Sequence, residues 1–320
     1  PPITKPDVSE GLSSFAAVAG DDTRTFADAR RPDRVRRVDS GGLSIATYEW
    51  GDDGADPLLL VHGGMDFAGT FDVFAPKLAD AGWRVIAFDQ RGHGDSEHAT
   101  CYSWDADIRD TLAVIDSVTP GPLPIVGHSK GGGLMLQLAD ACPHRVTKLV
   151  NIDGMPSRRG RPDVSDHERT RLMSSELIQW LDHRQRSIDA QRKPGTVEEL
   201  AQRRATMNPR LPIEWLEYLV TIGARKDDDG WRWKIDPVMR FGGFGPWRPE
   251  WSLSRLVNVG VPLLGMIATV PERMSMGSTV ADVEPYLPPG ARLEVFDDSG
   301  HFIHIEQPDR VAALVLEFLS

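Results

Sequence analysis

The sequence predicts an α/β fold: a mostly parallel, doubly wound sheet, with a helical segment inserted before its last two strands. Short apolar runs recur without alternation, helix-length segments separate most of them, and one long stretch interrupts this pattern. Uninterrupted apolar runs are typical of strands that are buried on both faces of a parallel sheet. Strands that alternate with helices place the helices on both faces of that sheet.

The chain begins with a segment that does not fit this alternation. Residues 1–32 are polar and poorly periodic, which predicts an N-terminal extension lying on the surface. Residues 34–38 and 43–50 alternate between polar and apolar side chains, and Ser40-Gly41-Gly42 separates them. Glycine-rich turns between alternating segments indicate an antiparallel hairpin.

The parallel sheet is expected to follow, within a core domain made of residues 33–155 and 257–320. Five apolar runs predict its strands: 57–62, 84–89, 124–127, 149–152 and 261–267. Helices are expected in the segments between and after them: 71–81, 104–117, 130–142 and 306–319.

The alternation stops over residues 156–256, where 171–185 and 197–206 have helical periodicity. We interpret this stretch as a helical cap domain over the carboxyl edge of the sheet, where such folds bind ligands. Most of its large apolar side chains are expected to form the core of the cap, with two or three facing a pocket. These side chains include Trp180, Trp215, Trp231, Trp233, Trp247, Trp251, Met173, Met207 and Met239, with Met155 beside them.

The composition narrows the possible partners. The 320 residues include 36 basic and 47 acidic side chains, a net charge of −11, which disfavours a nucleic-acid partner because phosphates would be repelled. No apolar run reaches the ~18 residues of a transmembrane helix.

The two cysteines suit a reducing cytosol, so we expect a cytoplasmic protein. Secretion is the alternative, because the sequence does not begin with Met. Nothing in the sequence decides the oligomeric state.

The strongest chemical signal is Gly127-His128-Ser129-Lys130-Gly131, which matches the pattern Gly-x-Ser-x-Gly. In a nucleophile elbow, this pattern turns a strand sharply into a helix and exposes the Ser at the sheet edge. Small residues two before and two after the Ser allow the strand and the helix to approach closely. Here an apolar run precedes the motif and a helical segment follows it, as the elbow requires.

Three further segments accompany the elbow: His62-Gly63-Gly64-Met65, the run 89–96 that reads Asp-Gln-Arg-Gly-His-Gly-Asp-Ser, and Ser299-Gly300-His301-Phe302. Each follows or precedes an element of the predicted sheet. Together with the elbow, they resemble the α/β-hydrolase family, in its capped esterase and lactonase-like branch. The resemblance covers residues 33–155 and 257–320.

The resemblance, taken with the chemistry of acyl transfer, implies roles for four residues. Ser129 would attack a carbonyl carbon, and His301 would take its proton, because a Ser hydroxyl alone is a weak nucleophile. The tetrahedral intermediate carries a negative oxygen that needs donors. The backbone N–H groups of Gly64 and Lys130 are expected to form this oxyanion hole.

The acid that orients His301 has two candidates. In most of the family it is an Asp after the strand predicted at 261–267, but the sequence there reads Ala-Thr-Val-Pro-Glu-Arg. Asp153 follows the strand 149–152, and some relatives place the acid there. Glu272 stands nearer to the usual position. We favour Asp153, with Glu272 as the alternative.

These residues predict a serine hydrolase that cleaves an ester, lactone or thioester of a bulky apolar small molecule through an acyl-enzyme. The sequence has no His-Glu-x-x-His and no cysteine pair at zinc spacing, so we expect neither metal nor cofactor. Two alternatives use the same three catalytic groups: carbon–carbon bond hydrolysis and perhydrolysis. An alternative from another class is a non-catalytic ligand-binding or sensor protein on the same fold.

Overall fold

The computed structural model describes residues 24–157, 166–239 and 249–320. Ten strands occur in these ranges: β1 Arg34–Asp39, β2 Ser44–Trp50, β3 Pro57–Val61, β4 Arg84–Phe88, β5 Leu123–His128, β6 Val146–Ile152, β7 Ala224–Asp227, β8 Gly230–Trp233, β9 Leu263–Ala268 and β10 Arg292–Phe296. Eight of them form one sheet in the order β1-β2-β4-β3-β5-β6-β9-β10, and β7 pairs with β8 separately. The doubly wound α/β architecture is therefore confirmed.

The sheet is parallel except at one end. β1 pairs with β2, and β2 pairs with β4, in antiparallel register, whereas every other neighbouring pair is parallel. The predicted hairpin and the five predicted parallel strands are all present. β10 was not among the predicted runs, because its sequence Arg-Leu-Glu-Val-Phe mixes charged and apolar side chains. That mixture is typical of an edge strand, where one side of the backbone is not covered by another strand.

The described helices are α1 Ala75–Asp80, α2 Trp104–Val118, α3 Lys130–Ala141, α4 Asp166–Arg186, α5 Val197–Ala205, α6 Ile213–Gly223, α7 Pro249–Leu256, α8 Val280–Val283, α9 Ile303–Glu306 and α10 Pro308–Leu319. The helices predicted at 104–117 and 130–142 match α2 and α3 closely. The one predicted at 306–319 corresponds to α10, which begins two residues later, with Pro308 at its first position.

Helices cover both faces of the sheet. One apolar cluster joins the sheet to α1 and α10 and includes the fully buried Trp50, Phe74 and Phe296. The other joins the opposite face to α2, α3 and α7. No helix in the described ranges combines the length and the apolar character that crossing a bilayer requires.

The segment between β6 and β9 contains α4 to α7 and the β7–β8 hairpin. Its helices α5 and α6 form a third apolar cluster, which includes Trp215 together with Phe67 and Phe302 from loops of the sheet domain. Trp180 and Met239 are buried in a fourth cluster. Trp247 and the side chains of Trp251 and Met173 lie outside the described residues. The division into a core and a cap domain stays a prediction.

Residues 24–31 cross the surface next to this segment. Arg24 forms an ion pair of 2.7 Å with Glu217 of α6, and the Phe26 ring meets the Trp215 ring edge-on at 5.1 Å between centroids. Arg31 lies 2.7 Å from the buried carboxylate of Asp72. The described end of the predicted N-terminal extension is therefore attached to the rest of the molecule.

Candidate active site

Ser129 stands at the turn between β5 and α3. Its backbone dihedrals are φ 53° and ψ −122°, a region that L-residues rarely occupy. Such strain persists where the surrounding structure enforces it, and it is common at functional sites. The local structure is the strand–turn–helix of a nucleophile elbow, as predicted from the sequence.

The two outer glycines of the elbow are required by close backbone approaches. A Cβ atom on Gly131 would lie 2.3 Å from the carbonyl oxygen of Val61 at the end of β3. A Cβ atom on Gly127 would lie 2.7 Å from the carbonyl oxygen of Gly131. Any larger residue would push α3 away from the sheet, and Ser129 would move with it.

The structure brings Ser129, His301 and Asp153 together. His301 Nε2 is 2.9 Å from Ser129 Oγ, and His301 Nδ1 is 2.6 Å from Asp153 Oδ2. All three residues are buried. His301 lies in the loop between β10 and α9, and Asp153 directly follows β6, so three separate segments meet at the carboxyl edge of the sheet.

Asp153 is held in place by the neighbouring strand. Its Oδ1 accepts a hydrogen bond of 3.0 Å from the backbone N–H of Ala268, the last residue of β9. Its backbone N–H donates to the carbonyl of Met266 in the same strand, and its φ is 44°. These contacts direct Oδ2 toward the imidazole of His301.

Glu272, the alternative acid, occupies a different position. Its Oε2 accepts a hydrogen bond of 2.6 Å from the backbone N–H of His301. Burial raises the pKa of this carboxyl above its usual value. The Glu272 carboxylate contacts the backbone of the loop, whereas the Asp153 carboxylate contacts the His301 ring.

Gly64 and Lys130, the two residues predicted to form the oxyanion hole, belong to segments next to Ser129. Lys130 is the first residue of α3, and the first N–H groups of a helix have no acceptor within the helix. On the other side, a Cβ atom on Gly63 would lie 3.1 Å from Ser129 Cβ, so the loop that includes Gly64 passes close to Ser129. Both N–H groups belong to segments adjacent to Ser129.

The Lys130 side chain is buried and forms an ion pair that was not predicted. Its Nζ lies 2.7 Å from Asp107 of α2 and donates a hydrogen bond of 2.8 Å to Gln90 Oε1. Burial raises the pKa of Asp107, against the effect of the Lys130 charge. Only the packing of α2 on α3 reveals this pair, because Asp107 is an ordinary acidic residue of a helical first turn in the sequence.

In the described ranges, no group of three or more His, Cys, Asp or Glu side chains is arranged to hold a metal ion. Two histidines near Ser129, His62 and His93, form hydrogen bonds with the protein backbone instead. His62 Nε2 accepts a hydrogen bond of 2.9 Å from the Gln90 N–H, and His93 Nε2 accepts one of 3.3 Å from the Met65 N–H. These bonds join the loop after β3 to the loop after β4.

Further histidine rings pack around His301. The centroid of the His128 ring lies 4.7 Å from that of His301 and 4.5 Å from that of His304. His304 is fully buried, and neither ring nitrogen has a partner among the described residues. Burial lowers the pKa of His304 from 6.5 to about 3, so the ring is neutral at pH 7.

We expect His304→Leu to flatten the pH dependence of stability. The folded His304 stays neutral while the unfolded one is protonated below pH 6.5, so its contribution is present above that pH and lost as the pH falls toward 3. Between pH 7 and pH 5 the wild type should therefore lose about 2 kcal/mol more unfolding free energy than His304→Leu. Urea denaturation at both pH values measures this difference. His144→Gln, at an exposed position, is the control, and equal losses in wild type and His304→Leu would contradict the expectation.

A cavity of about 190 Å³ opens beside Gly64. Apolar side chains dominate its lining: Met65, Met207, Trp233, Ile235, Met274 and Phe302. Met207 and Trp233 belong to the inserted segment, whereas Phe302 follows His301. A molecule in this cavity would lie between the sheet edge and the inserted segment.

Comparison with known proteins identifies the family. The model of the alpha/beta hydrolase family matches residues 58–314. An esterase from Mycobacterium tuberculosis is 26% identical over 257 residues, which cover 79% of this chain and 80% of the esterase. A serine hydrolase-like protein from Dictyostelium discoideum is 37% identical over a shorter match, which covers 35% of this chain and 32% of that protein.

The fold is shared with solved structures. The thioesterase domain from the curacin biosynthetic pathway superposes with a TM-score of 0.72 at 22% sequence identity, covering 89% of this chain and 99% of that domain. Relatives named as esterase and serine hydrolase indicate a hydrolytic function. The family match extends over the elbow, Asp153 and His301. The chain belongs to the alpha/beta hydrolase family.

Proposed function

We propose that this hydrolase cleaves an ester, lactone or thioester of a small molecule through an acyl-enzyme on Ser129. The observation that carries the proposal is the chain of contacts from Ser129 Oγ through His301 to Asp153, at 2.9 Å and 2.6 Å. Both distances lie within hydrogen-bond reach, which proton transfer between the groups requires. Asp153 is the acid in this proposal, and Glu272 supports the loop that carries His301.

The proposed reaction has two halves. Ser129 Oγ attacks the carbonyl carbon, and its proton passes to His301 Nε2. The bond to the leaving group then breaks, and His301 gives the proton to the departing oxygen or sulfur. Water attacks the acyl group on Ser129, loses a proton to His301, and releases the acid, after which the proton returns to Ser129 Oγ. Asp153 stabilises the imidazolium that forms in each half.

The oxyanion of each tetrahedral intermediate would be bound by the N–H groups of Gly64 and Lys130. Removing one such donor typically costs ~2.7–4 kcal/mol of barrier. The ion pair between Lys130 and Asp107 supports this arrangement, because it anchors the first residue of α3 to α2. The closeness of Gly63 to Ser129 supports it on the other side.

The substrate is proposed to have a bulky apolar part. The methionine and aromatic lining of the cavity beside Gly64 supports this proposal, because such surfaces bind apolar groups. We also propose that residues 156–256 act as the cap that selects the substrate, since Met207 and Trp233 of this segment line the same cavity. The relative named as an esterase supports ester cleavage.

A fluorophosphonate probe tests the proposed nucleophile. The probe phosphonylates an activated Ser, so mass spectrometry of a digest is expected to find the adduct on Ser129 and none in Ser129→Ala. Hydrolysis of 4-nitrophenyl esters from acetate to decanoate then measures the size of the pocket. Folded protein in which Ser129 stays unlabelled would refute the mechanism and favour a ligand-binding or sensor protein. Labelling without ester turnover would refute simple ester cleavage and favour carbon–carbon bond hydrolysis or perhydrolysis.

A further inference from the structure

A second, larger cavity adjoins the one beside Gly64. It has a volume of about 600 Å³ and lies between α4, the connection that follows α4, and the residues after β8. Arg192, Trp233 and Ile235 line both cavities and therefore form the wall between them. A molecule that extends from the cavity beside Gly64 past Trp233 and Ile235 would enter this second cavity, which we call the arginine cavity.

The side chains around the two cavities include more positive than negative charges, whereas the chain as a whole is negative. Together the cavities are lined by five arginines but only two aspartates: Arg184, Arg192, Arg203, Arg204, Arg225, Asp66 and Asp236. The chain as a whole carries a net charge of −11. Positive charge in a cavity attracts an anionic ligand where no carboxylate of the protein already neutralises it.

Most of these arginines are neutralised within the protein. Arg204 pairs with Asp66 at 2.8 Å, Arg225 with Asp227 at 3.1 Å, and Arg203 with Glu199 at 3.4 Å. Arg184 is different: it is half-buried and lines the arginine cavity, and none of the described carboxylates forms an ion pair with it. A guanidinium in this situation is a ready donor for an anionic oxygen.

Arg192 shapes the same wall. It donates hydrogen bonds to the backbone carbonyls of Ile235, Asp236 and Met239, at 3.1, 2.7 and 2.8 Å. These acceptors are neutral, so among the described residues it is the nearby Asp236 that opposes the Arg192 charge, and Asp236 itself is engaged by Tyr102. Burial lowers the pKa of Arg192. An anionic group in the cavity would compensate this buried charge.

We infer that the substrate carries an anionic oxygen group, a carboxylate or a phosphate, at the end remote from the bond that is cleaved, and that Arg184 binds this group beside Arg192. The inference rests on the hydrolase activity proposed above. The apolar lining around Trp233 would accept the middle of the molecule. The substrate class is therefore an acyl ester or thioester with an apolar middle and a charged end.

Matched pairs of substrates test the inference. The first pair is 4-nitrophenyl heptanoate and the 4-nitrophenyl monoester of heptanedioate, which differ in one terminal carboxylate. The second pair is the heptanoyl thioesters of coenzyme A and of N-acetylcysteamine, of which only the first carries phosphates. In wild type, kcat/KM is expected to favour the anionic member of at least one pair, and added salt should reduce the preference.

Arg184→Gln is expected to lower that preference about 10-fold, since a charge-assisted hydrogen bond is lost. Arg186→Gln removes an exposed arginine of the same helix outside both cavities and is the matched control. The pair that responds identifies the source of the charge: a carboxylate on the acyl group or a phosphate on the leaving group. An unchanged preference in Arg184→Gln, or no preference in wild type for either pair, would overturn the inference.

The outcomes separate this inference from the proposed function. If the neutral heptanoate ester is hydrolysed in wild type but not in Ser129→Ala, the hydrolase proposal stands whatever the charge preference is. If no ester is hydrolysed, calorimetric titration of the Ser129→Ala protein with heptanedioate and with coenzyme A still measures anion binding. Binding that weakens in the Arg184→Gln background supports the arginine cavity, and no binding of either compound contradicts it.

Discussion

Ser129→Ala is expected to lower kcat for a 4-nitrophenyl ester by about 10⁶-fold, the scale seen when a Ser protease loses its nucleophile. The substitution removes the only atom at this position that can form the acyl-enzyme. The oxyanion donors and the apolar cavity stay in place, so the variant should still hydrolyse the ester ~10³–10⁴-fold faster than the uncatalysed reaction in water. Steady-state kinetics with a stopped assay for the slow variant measures both quantities.

The fold of the Ser129→Ala variant should be intact, so its loss of kcat can be attributed to the missing hydroxyl. Ala adopts the φ of 53° at position 129 no less readily than Ser does, and no larger group is introduced. Ser117→Ala on α2 is the matched control, because Ser117 Oγ donates a hydrogen bond to the carbonyl of Val114 in the same helix. A Ser129→Ala protein that retains more than about a hundredth of the wild-type kcat would rule out the proposed nucleophile.

Asp153→Asn is expected to lower kcat by about 10⁴-fold with little change in the fold. The amide nitrogen of Asn would donate to His301 Nδ1, which forces the other tautomer and leaves Nε2 protonated and unable to accept the Ser129 proton. The amide would also bring no charge to stabilise the imidazolium. Steady-state kinetics gives kcat, and thermal unfolding checks that the fold survives.

Glu272→Gln is the matched comparison, because Glu272 contacts the backbone N–H of His301 instead of the ring. The amide oxygen of Gln can accept the same hydrogen bond, so we expect a loss of kcat below about 10-fold, the cost of weakening one charge-assisted bond. The reverse order of effects, with Glu272→Gln inactive and Asp153→Asn active, would assign the acid to Glu272.

Much of the fold could be predicted because the burial of each element determines the pattern of apolar and polar side chains along it. The runs that became β3 to β6 and β9 are mostly apolar, since helices cover both faces of a parallel sheet. β10 was not predicted because it is an edge strand that is partly exposed to water. Its sequence therefore mixes charged and apolar side chains. The last helix was predicted to begin at residue 306, two residues early, although Pro308 marks its first position.

The sequence by itself determined the elements that depend on neighbouring residues: the strand–turn–helix at Ser129, the glycines that flank it, and the loops of Gly64 and His301. Only the tertiary structure decided which carboxylate meets His301. β6 and β9 are adjacent in the sheet, so the Ala268 N–H holds Asp153 against the imidazole, while Glu272 contacts the backbone. The Lys130–Asp107 pair and the arginine cavity likewise join residues distant in the chain. Contacts of this kind depend on how separate segments pack, which no local pattern encodes.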